Sequence, residues 1–142
     1  MRMSIPLYFV AYFASILMKK DTVILIVDDN MNFVDRMISL LQETDTSSQI
    51  YSANNYTEAS RMLAEAKPDI VLLDINLPGK NGLEILKLIR SENTYTTVLM
   101  LTNHADAYYR QQCLELGADY FLDKSEDFGL VPGIVNQIRL QT

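Results

Sequence analysis

Short apolar runs alternate with longer amphipathic stretches from Thr22 onward, and this alternation restricts the fold more than any other feature. Each run is continuous rather than alternating in polarity, as in strands that are buried on both faces of a sheet. Five runs are present, at residues 22–27, 49–53, 69–73, 98–101 and 120–122. Strands separated by helices predict a parallel sheet with helices on both faces, because crossover connections are short and right-handed.

The stretches between the runs carry apolar residues at helical spacing. They predict five helices, at Phe33 to Leu41, Ala59 to Ala66, Leu83 to Ile89, Ala105 to Leu116 and Gly129 to Leu140. Gly117 closes the fourth helix, because glycine tolerates the left-handed conformation at a helix end. Pro132 is compatible only with the first turn of the fifth. The pattern therefore predicts an α/β fold.

The composition is that of one ordinary globular domain. The chain has 142 residues, of which 49% are hydrophobic and 21% charged, enough for one sizeable core and too few for two. Its net charge is −6, with no basic cluster beyond Lys19 and Lys20, which argues against a nucleic-acid-binding surface. Cys113 is the only cysteine, which excludes an internal disulfide and a cysteine metal site and favours a reducing compartment.

Polar side chains stand where the predicted strands end. Asp28 and Asp29 end the first run, Asp74 the third and Thr102 the fourth, and Lys124 follows the fifth. Ligands of doubly wound sheets bind at the carboxyl ends of the strands, so we expect these side chains to converge on one edge. Asp28 and Asp29 can serve one site only where strand becomes loop, since neighbouring strand residues point to opposite faces.

Three carboxylates at one edge need a cation. Two ionised carboxylates about 4 Å apart repel by roughly 4 kcal/mol at an effective dielectric near 20. Mg²⁺ fits, because it prefers oxygen ligands and leaves positions for phosphate oxygens. Asp74 is then predicted to attack phosphorus, with Lys124 and Thr102 in support. Each residue alone would indicate only a turn or a helix cap, but their order at successive strand ends favours a common site.

Four motifs surround these residues: VILIVDDN at 23–30, IVLLDINLPGKNGLEIL at 70–86, VLMLTN at 98–103 and LGADYFLDK at 116–124. As a set they resemble the receiver domains of two-component response regulators, over residues 21–142. The resemblance implies a flavodoxin-like, doubly wound, five-stranded parallel sheet of order 2-1-3-4-5 with five helices. This fold agrees with the strand count obtained from the apolar runs.

The resemblance also implies a role for each matching position. Asp74 matches the phosphoacceptor, and Lys124 matches the lysine that pairs with the phosphate. Asp28 and Asp29 match the acidic pair that binds Mg²⁺ together with the acceptor. Asn76 matches the residue whose backbone carbonyl completes the metal shell.

Further positions match the family's conformational switch and its water path. Thr102 matches the hydroxyl that follows the bound phosphoryl group, and Phe121 matches the aromatic residue that rotates with it. Asn76 and His104 lie two residues past the acceptor and the switch threonine, where the attacking water approaches. We hypothesise that these two residues set the lifetime of the phosphoryl group, with a solvated loop residue as the alternative interpretation of His104.

Three positions depart from the family pattern. Ser125 follows Lys124 where the family usually has a proline in a cis peptide. Because a non-proline cis bond costs about 2.5–4 kcal/mol, we predict either a trans bond or strain held by packing. Asn103 replaces a residue that is often small, which would narrow access to the acceptor. Phe121 replaces a frequent tyrosine, so its ring has no hydroxyl for a hydrogen bond.

The leading interpretation is a stand-alone phosphoacceptor regulator rather than an enzyme. A histidine kinase or a histidine phosphotransfer protein would supply the phosphoryl group, and the modified domain would bind an unknown downstream protein, not nucleic acid. The family uses the face formed by the domain's fourth helix, fifth strand and fifth helix. Candidate contacts on that face are Tyr108, Tyr109, Arg110 and Tyr120.

Two other classes of protein are compatible with parts of the pattern. One is a phosphohydrolase with a strand-end aspartate nucleophile beside Mg²⁺, but such enzymes typically carry a second aspartate two positions on, where this chain has Asn76. The other is an interaction module that works without phosphorylation, although every functional position is filled by its expected residue type.

Residues 1–20 differ from the receiver domain predicted at 21–142. Residues 3–18 carry no charge, but they are fewer than the roughly 20 apolar residues of a spanning helix. They form either an extension outside the fold, with Met18 beginning the domain, or an apolar helix that associates with a membrane or a partner. A secretory signal fits least, because the phosphoryl donor is made inside the cell. We expect a cytoplasmic protein, with membrane association through residues 3–18 as an alternative.

Overall fold

The structure, a computed structural model, describes residues 4–17, 21–45, 47–103 and 107–141. The strands are β1 (Val23–Val27), β2 (Gln49–Ala53), β3 (Ile70–Leu73), β4 (Thr97–Thr102) and β5 (Tyr120–Asp123). The helices are α1 (Leu7–Leu17), α2 (Met31–Thr44), α3 (Tyr56–Ala66), α4 (Gly82–Glu92), α5 (Ala107–Glu115) and α6 (Val131–Leu140). All strands are parallel, and their order β2-β1-β3-β4-β5 confirms the predicted doubly wound sheet.

The described residues form six α-helices, one more than predicted. The additional helix is α1, in the apolar segment that precedes the predicted domain. The Pro6 carbonyl accepts hydrogen bonds from the amides of Phe9 at 2.9 Å and Val10 at 3.2 Å, and neither proline nor glycine interrupts LYFVAYFASIL, so the segment can hold a helix. No helix in the described ranges is both long and apolar enough to cross a membrane.

The last helix begins later than predicted. α6 starts at Val131 rather than Gly129, because Phe128–Leu130 form a separate 3-10 turn. Pro132 lies in the first turn of α6, where its missing amide hydrogen costs no hydrogen bond, as predicted.

The end of α5 follows the prediction. Gly117 adopts a φ of +100° just beyond the helix, the left-handed region that glycine tolerates. A side chain here would also collide, since an added Cβ would lie 2.9 Å from Nε of Arg90. The predicted start of this helix, Ala105, lies outside the described residues.

Each face of the sheet carries its own hydrophobic cluster. Helices α3, α4 and α5 cover one face, and α2 and α6 cover the other. Strands β1 and β3 are buried along their whole length, as predicted for strands between two helical layers. Strand β2 is different, because it lies at the edge of the sheet and only Ala53 is fully buried.

The strand register aligns the carboxyl ends of the central strands. Val27 of β1 is level with Leu73 of β3, and Leu73 is level with Met100 of β4. Thr102, at the end of β4, is level with Asp123 of β5. The residues that follow β1, β3 and β5 therefore lie on one edge, where ligands of such sheets bind.

Candidate functional site

The first two acidic residues lie where β1 becomes a loop. The Asp28 amide still donates to the Ala53 carbonyl at 3.0 Å, so this residue continues the strand ladder. Its side chain is only 2% exposed, and Oδ1 accepts a hydrogen bond from the Asn30 amide at 2.8 Å. Asp29 is exposed. The pair therefore combines one buried carboxylate with one open to solvent.

Asp74 follows β3 in the same manner. Its amide donates to the Val27 carbonyl at 3.0 Å, its side chain is buried, and Oδ1 accepts from the Asn76 amide at 3.2 Å. These bonds to the neighbouring strand and the following loop fix the carboxylate at the edge of the sheet.

Gly82 permits the loop after Asp74 to fold back onto it. An added Cβ would lie 2.0 Å from the Asp74 carbonyl oxygen, far inside any real contact. The Gly82 amide donates to the Ile75 carbonyl at 2.8 Å, and Asn81 caps α4 by accepting from the Leu83 amide. Packing against the Asp74 backbone therefore explains why no side chain fits at this position.

Lys124 joins the two buried carboxylates. Its Nζ lies 2.5 Å from Oδ2 of Asp28 and 3.1 Å from Oδ2 of Asp74. The Lys124 side chain is 8% exposed, and its amide donates to the Thr102 carbonyl at 3.1 Å, which ties it to the end of β4. One ammonium thus balances part of the charge of two carboxylates in a place where water is scarce.

The surroundings of Asp74 and Lys124 raise the pKa values of both groups. Burial raises the pKa of Asp74, the Lys124 charge opposes that effect, and the Asp28 charge adds to it. For Lys124, burial alone would lower the pKa, but the hydrogen bond to Asp28 and the charges of both carboxylates outweigh burial and raise it. Lys124 therefore carries its positive charge at neutral pH.

Three carboxylates meet at this edge with the geometry of a cation site. Oxygen atoms of Asp28, Asp29 and Asp74 all lie within 4.8 Å of one another. An all-oxygen set with one ligand exposed matches Mg²⁺, which binds one or two carboxylates and keeps several waters. The donor set thus fits the predicted ion.

Both residues predicted to form the switch are buried. Thr102 is fully buried at the end of β4. Phe121 is 6% exposed and packs in the cluster beneath α3, α4 and α5, with the Arg110 guanidinium 6.0 Å from its ring centroid. Among the described residues every peptide bond is trans, so Lys124–Ser125 takes the first of the two predicted forms.

Phe33 belongs to the site, although the sequence indicates only a core position in α2. Nζ of Lys124 lies 4.5 Å from the centroid of the Phe33 ring, a cation–π distance. The Phe33 ring meets Phe128 edge to face at 5.8 Å, and the Arg36 guanidinium lies 4.9 Å from the Phe128 centroid. No sequence signal distinguishes this phenylalanine from an ordinary core residue, because the contact spans 91 positions.

A cavity of about 450 Å³ opens beside Lys124. Asn103 contributes to its wall and is exposed, and its effect on access to Asp74 stays a prediction. The remaining lining residues are Asn30, Asn32, Phe33, Arg36, Ser125 and Phe128.

The remaining predicted positions differ from one another in their exposure to solvent. Asn76 is exposed beside the acceptor, whereas His104 lies outside the described residues. Tyr108 is 70% exposed and Arg110 is also exposed. Tyr109 packs partly against the cluster under α5, and Tyr120 packs partly against the cluster on the opposite face, so the four candidates do not form one uniform surface.

The region that contains the sheet and the three-carboxylate cluster matches a known protein family. The family model for the response regulator receiver domain matches residues 24–135. Transcriptional regulatory protein LnrK of Bacillus subtilis (strain 168) is 41% identical over 101 residues, which are 71% of this chain and 46% of LnrK. Regulatory protein AtoC of Escherichia coli (strain K12) is 37% identical over 123 residues, 84% of this chain and 26% of AtoC. The chain therefore spans about half, or less, of the length of these relatives.

Solved structures give the same similarity. The signal receiver domain of DNA binding response regulator protein (merR) from Colwellia psychrerythraea 34H has a TM-score of 0.80 at 27% identity, covering 84% of this chain and 99% of that domain. The CheY-like receiver domain protein from Methanospirillum hungatei JF-1 has a TM-score of 0.75 at 24% identity, covering 85% and 96%, and shares the fold.

Proposed function

Because this chain belongs to the response regulator receiver domain family, whose members accept phosphoryl groups in two-component signalling, we propose that Asp74 is its phosphoacceptor. The donor is a histidine kinase or a histidine phosphotransfer protein, and the receiver domain spans residues 21–142. One observation carries the proposal: Lys124 contacts Asp28 and Asp74 at 2.5 and 3.1 Å, with Asp29 completing a three-carboxylate cluster.

In the proposed transfer, one carboxylate oxygen of Asp74 forms a bond to phosphorus as the phosphorus–nitrogen bond of a phosphohistidine breaks. The donor imidazole keeps the electron pair of that bond and takes up a proton. Lys124 is charged and lies 3.1 Å from Oδ2 of Asp74, so it can neutralise charge on the oxygens of the transferring group. Burial of the acceptor limits competing attack by water.

The proposed metal ligands are Asp28, Asp29, Asp74 and the backbone carbonyl of Asn76. When bound, Mg²⁺ would offset the charge of the carboxylates and of the phosphoryl oxygens. The exposure of Asp29 supports this assignment, because Mg²⁺ retains water ligands and the open side of the site can hold them.

The proposed output is a change on the face of α5, β5 and α6. Thr102 would follow the phosphoryl group and Phe121 would rotate with it. Both are buried, while Tyr108 and Arg110 on α5 are exposed. The two exposed residues are therefore our preferred contacts for a downstream protein, since tyrosine and arginine are enriched at interfaces.

Quantifying both bound and released phosphate tests this function. We expect the full chain, incubated with Mg²⁺ and a small phosphodonor such as phosphoramidate, to accumulate one phosphoryl group per chain. Continuous release of inorganic phosphate far beyond one equivalent would instead identify an aspartate-nucleophile phosphohydrolase. Absence of both products from a folded chain would identify an interaction module that works without phosphorylation.

Two variants make the experiment specific. Asp74→Asn removes the proposed nucleophile and is expected to abolish labelling. Asp35→Asn changes an exposed carboxylate on α2, outside the three-carboxylate cluster, and is expected to label like the wild type. Labelling of Asp74→Asn at the wild-type level would contradict the assignment.

The lifetime of the phosphoryl group tests the proposed roles of Asn76 and His104. We expect Asn76→Ala and His104→Ala each to change the rate of spontaneous dephosphorylation after the donor is removed. If both variants lost phosphate at the wild-type rate, neither residue would control access of the attacking water.

A further inference from the structure

The described side chains of helix α1, at residues 7–13, are apolar or aromatic and all of them are exposed. Every described side chain from residue 4 to residue 13 is exposed, including Leu7 at 86%, Phe9 at 44% and Phe13 at 50%. Its aromatic rings contact one another rather than the core, with Phe9 and Phe13 centroids 5.4 Å apart. Contiguous exposed apolar surface of this kind marks a site of interaction.

The net charge of the segment that contains this helix is opposite in sign to that of the rest of the chain. Residues 3–18 have no charged side chain, and the residues that flank them are Arg2, Lys19 and Lys20. All 18 acidic residues lie after residue 20, where only nine basic residues accompany them. The N-terminal segment is therefore positive and the remainder of the chain carries −9.

The helix also lies outside the part of the chain that relatives share. The family match begins at residue 24. The Colwellia receiver domain is covered over 99% of its length by only 84% of this chain. The core that stabilises the receiver fold thus does not require α1. The surface of α1 is therefore available for another purpose.

We propose that α1 anchors this receiver domain to an anionic phospholipid surface by inserting into one leaflet. Its 11 residues span about 16 Å, which is too short to cross a bilayer, so we place the helix along the surface of the leaflet, where both of its ends reach the headgroups. Tyrosine residues at positions 8 and 12 can occupy the headgroup level, while the basic flanks pair with anionic lipids.

Charge distinguishes a lipid surface from a second copy of the chain. Pairing of two α1 helices would bring together the same positive flanks and two domains that each carry −9. An anionic bilayer instead neutralises the flanks and takes up the apolar rings. The anchor also leaves the site accessible, because the chain enters the sheet at Val23, the end of β1 opposite to Asp28 and Asp74.

Co-sedimentation with vesicles tests the anchor. We expect the full chain to bind vesicles that contain phosphatidylglycerol and phosphatidylcholine more tightly than vesicles of phosphatidylcholine alone. Phe9→Ser/Phe13→Ser is expected to weaken binding to both vesicles at least about tenfold. Lys19→Glu/Lys20→Glu is expected to weaken binding about tenfold to the anionic vesicles only.

The control is Tyr95→Ser, which removes an aromatic side chain that is 83% exposed but lies before β4. It is expected to bind as the wild type does. Equal binding by the Phe9/Phe13 variant and the wild type would overturn the proposal. A wild-type chain that binds neither kind of vesicle would also overturn it. Sedimentation equilibrium without lipid supplies a further outcome: a dimer that the Phe9/Phe13 substitutions dissociate would assign α1 to self-association instead.

Discussion

At the scale of single residues, the site depends on contacts that reach across the sheet. Lys124 follows β5, yet its ammonium meets the carboxylates that follow β1 and β3. The strand-end pattern predicts this convergence, because parallel strands end at one edge. What the pattern cannot predict is the aromatic ring that contacts the lysine, since Phe33 lies on α2.

Replacement of Gly82 by alanine is expected to disturb the acceptor. The new Cβ would be 2.0 Å from the Asp74 carbonyl oxygen, so the backbone must move, at a cost of about 1–3 kcal/mol in the free energy of unfolding. Phosphorylation by phosphoramidate should slow as well. Gly133→Ala is the matched control, because nothing lies within 4 Å of its added Cβ, and it should change stability by less than about 1 kcal/mol. Equal effects of the two substitutions would contradict this account.

Replacement of Phe33 by leucine tests the cation–π contact. Leucine keeps an apolar side chain but removes the ring face beneath Lys124, 4.5 Å away. Such contacts contribute about 0.5–2 kcal/mol, so phosphorylation should slow by roughly two- to thirtyfold. Phe128→Leu is the control, because it removes the neighbouring ring, 5.8 Å from Phe33, and leaves the ring under Lys124. A Phe33→Leu variant that is phosphorylated at the wild-type rate would exclude a positioning role.

At the scale of elements, the edge remote from the site is held by Arg139 near the end of α6. Its guanidinium contacts Oδ2 of Asp45, after α2, at 2.8 Å and the Ser47 hydroxyl at 3.1 Å. It also reaches Thr22, before β1, at 3.3 Å. One side chain thus connects both helices on one face of the sheet with the start of β1.

This connection predicts a dependence of stability on pH. Burial alone would raise the pKa of Asp45, but hydrogen bonds from Ser48 and Ser47 and the charge of Arg139 outweigh burial and lower it. A lowered pKa in the folded state stabilises the protein above the unfolded pKa, about 3.9, and this contribution is lost as the pH falls through the folded value.

Urea unfolding of wild type and Asp45→Asn at several pH values measures the effect. At pH 7 the variant should be less stable by about 1–3 kcal/mol, and the difference should shrink as the pH falls below about 4. Glu43→Gln removes the charge of an exposed side chain near the end of α2. It should alter the free energy of unfolding by less than about 0.5 kcal/mol. A stability difference for Asp45→Asn that stayed constant down to acid pH would show that the carboxylate charge is not responsible.

The strands and helices also show where sequence periodicity is sufficient to predict an element. Continuous apolar runs located β1, β3 and β4, because these strands are buried on both faces. The start of α6 was predicted two residues early, since helical spacing cannot separate an α-helix from the 3-10 turn at Phe128–Leu130. The sequence indicates a helix in residues 3–18 only as one of two alternatives, because a segment that is apolar at nearly every position has no periodic pattern to indicate its role.

At the scale of the whole molecule, the sheet order and the edge that carries the acidic cluster could both be predicted. The order is what the resemblance of the motifs to receiver domains implies, and the edge follows from the parallel arrangement of the strands. The close approach of Gly82 and the ring beneath Lys124 could not be predicted, because both depend on packing between segments that are distant in sequence.

The most direct measurement of the central claim is the position of the phosphoryl group. The full chain would be labelled with phosphoramidate and Mg²⁺, reduced with borohydride to convert an aspartyl phosphate to homoserine, and mapped by peptide mass spectrometry. We expect homoserine at residue 74 alone, and none when Mg²⁺ is removed by chelation. Homoserine at residue 28 or 29, or an unmodified residue 74 in a folded and Mg²⁺-supplied chain, would contradict this expectation.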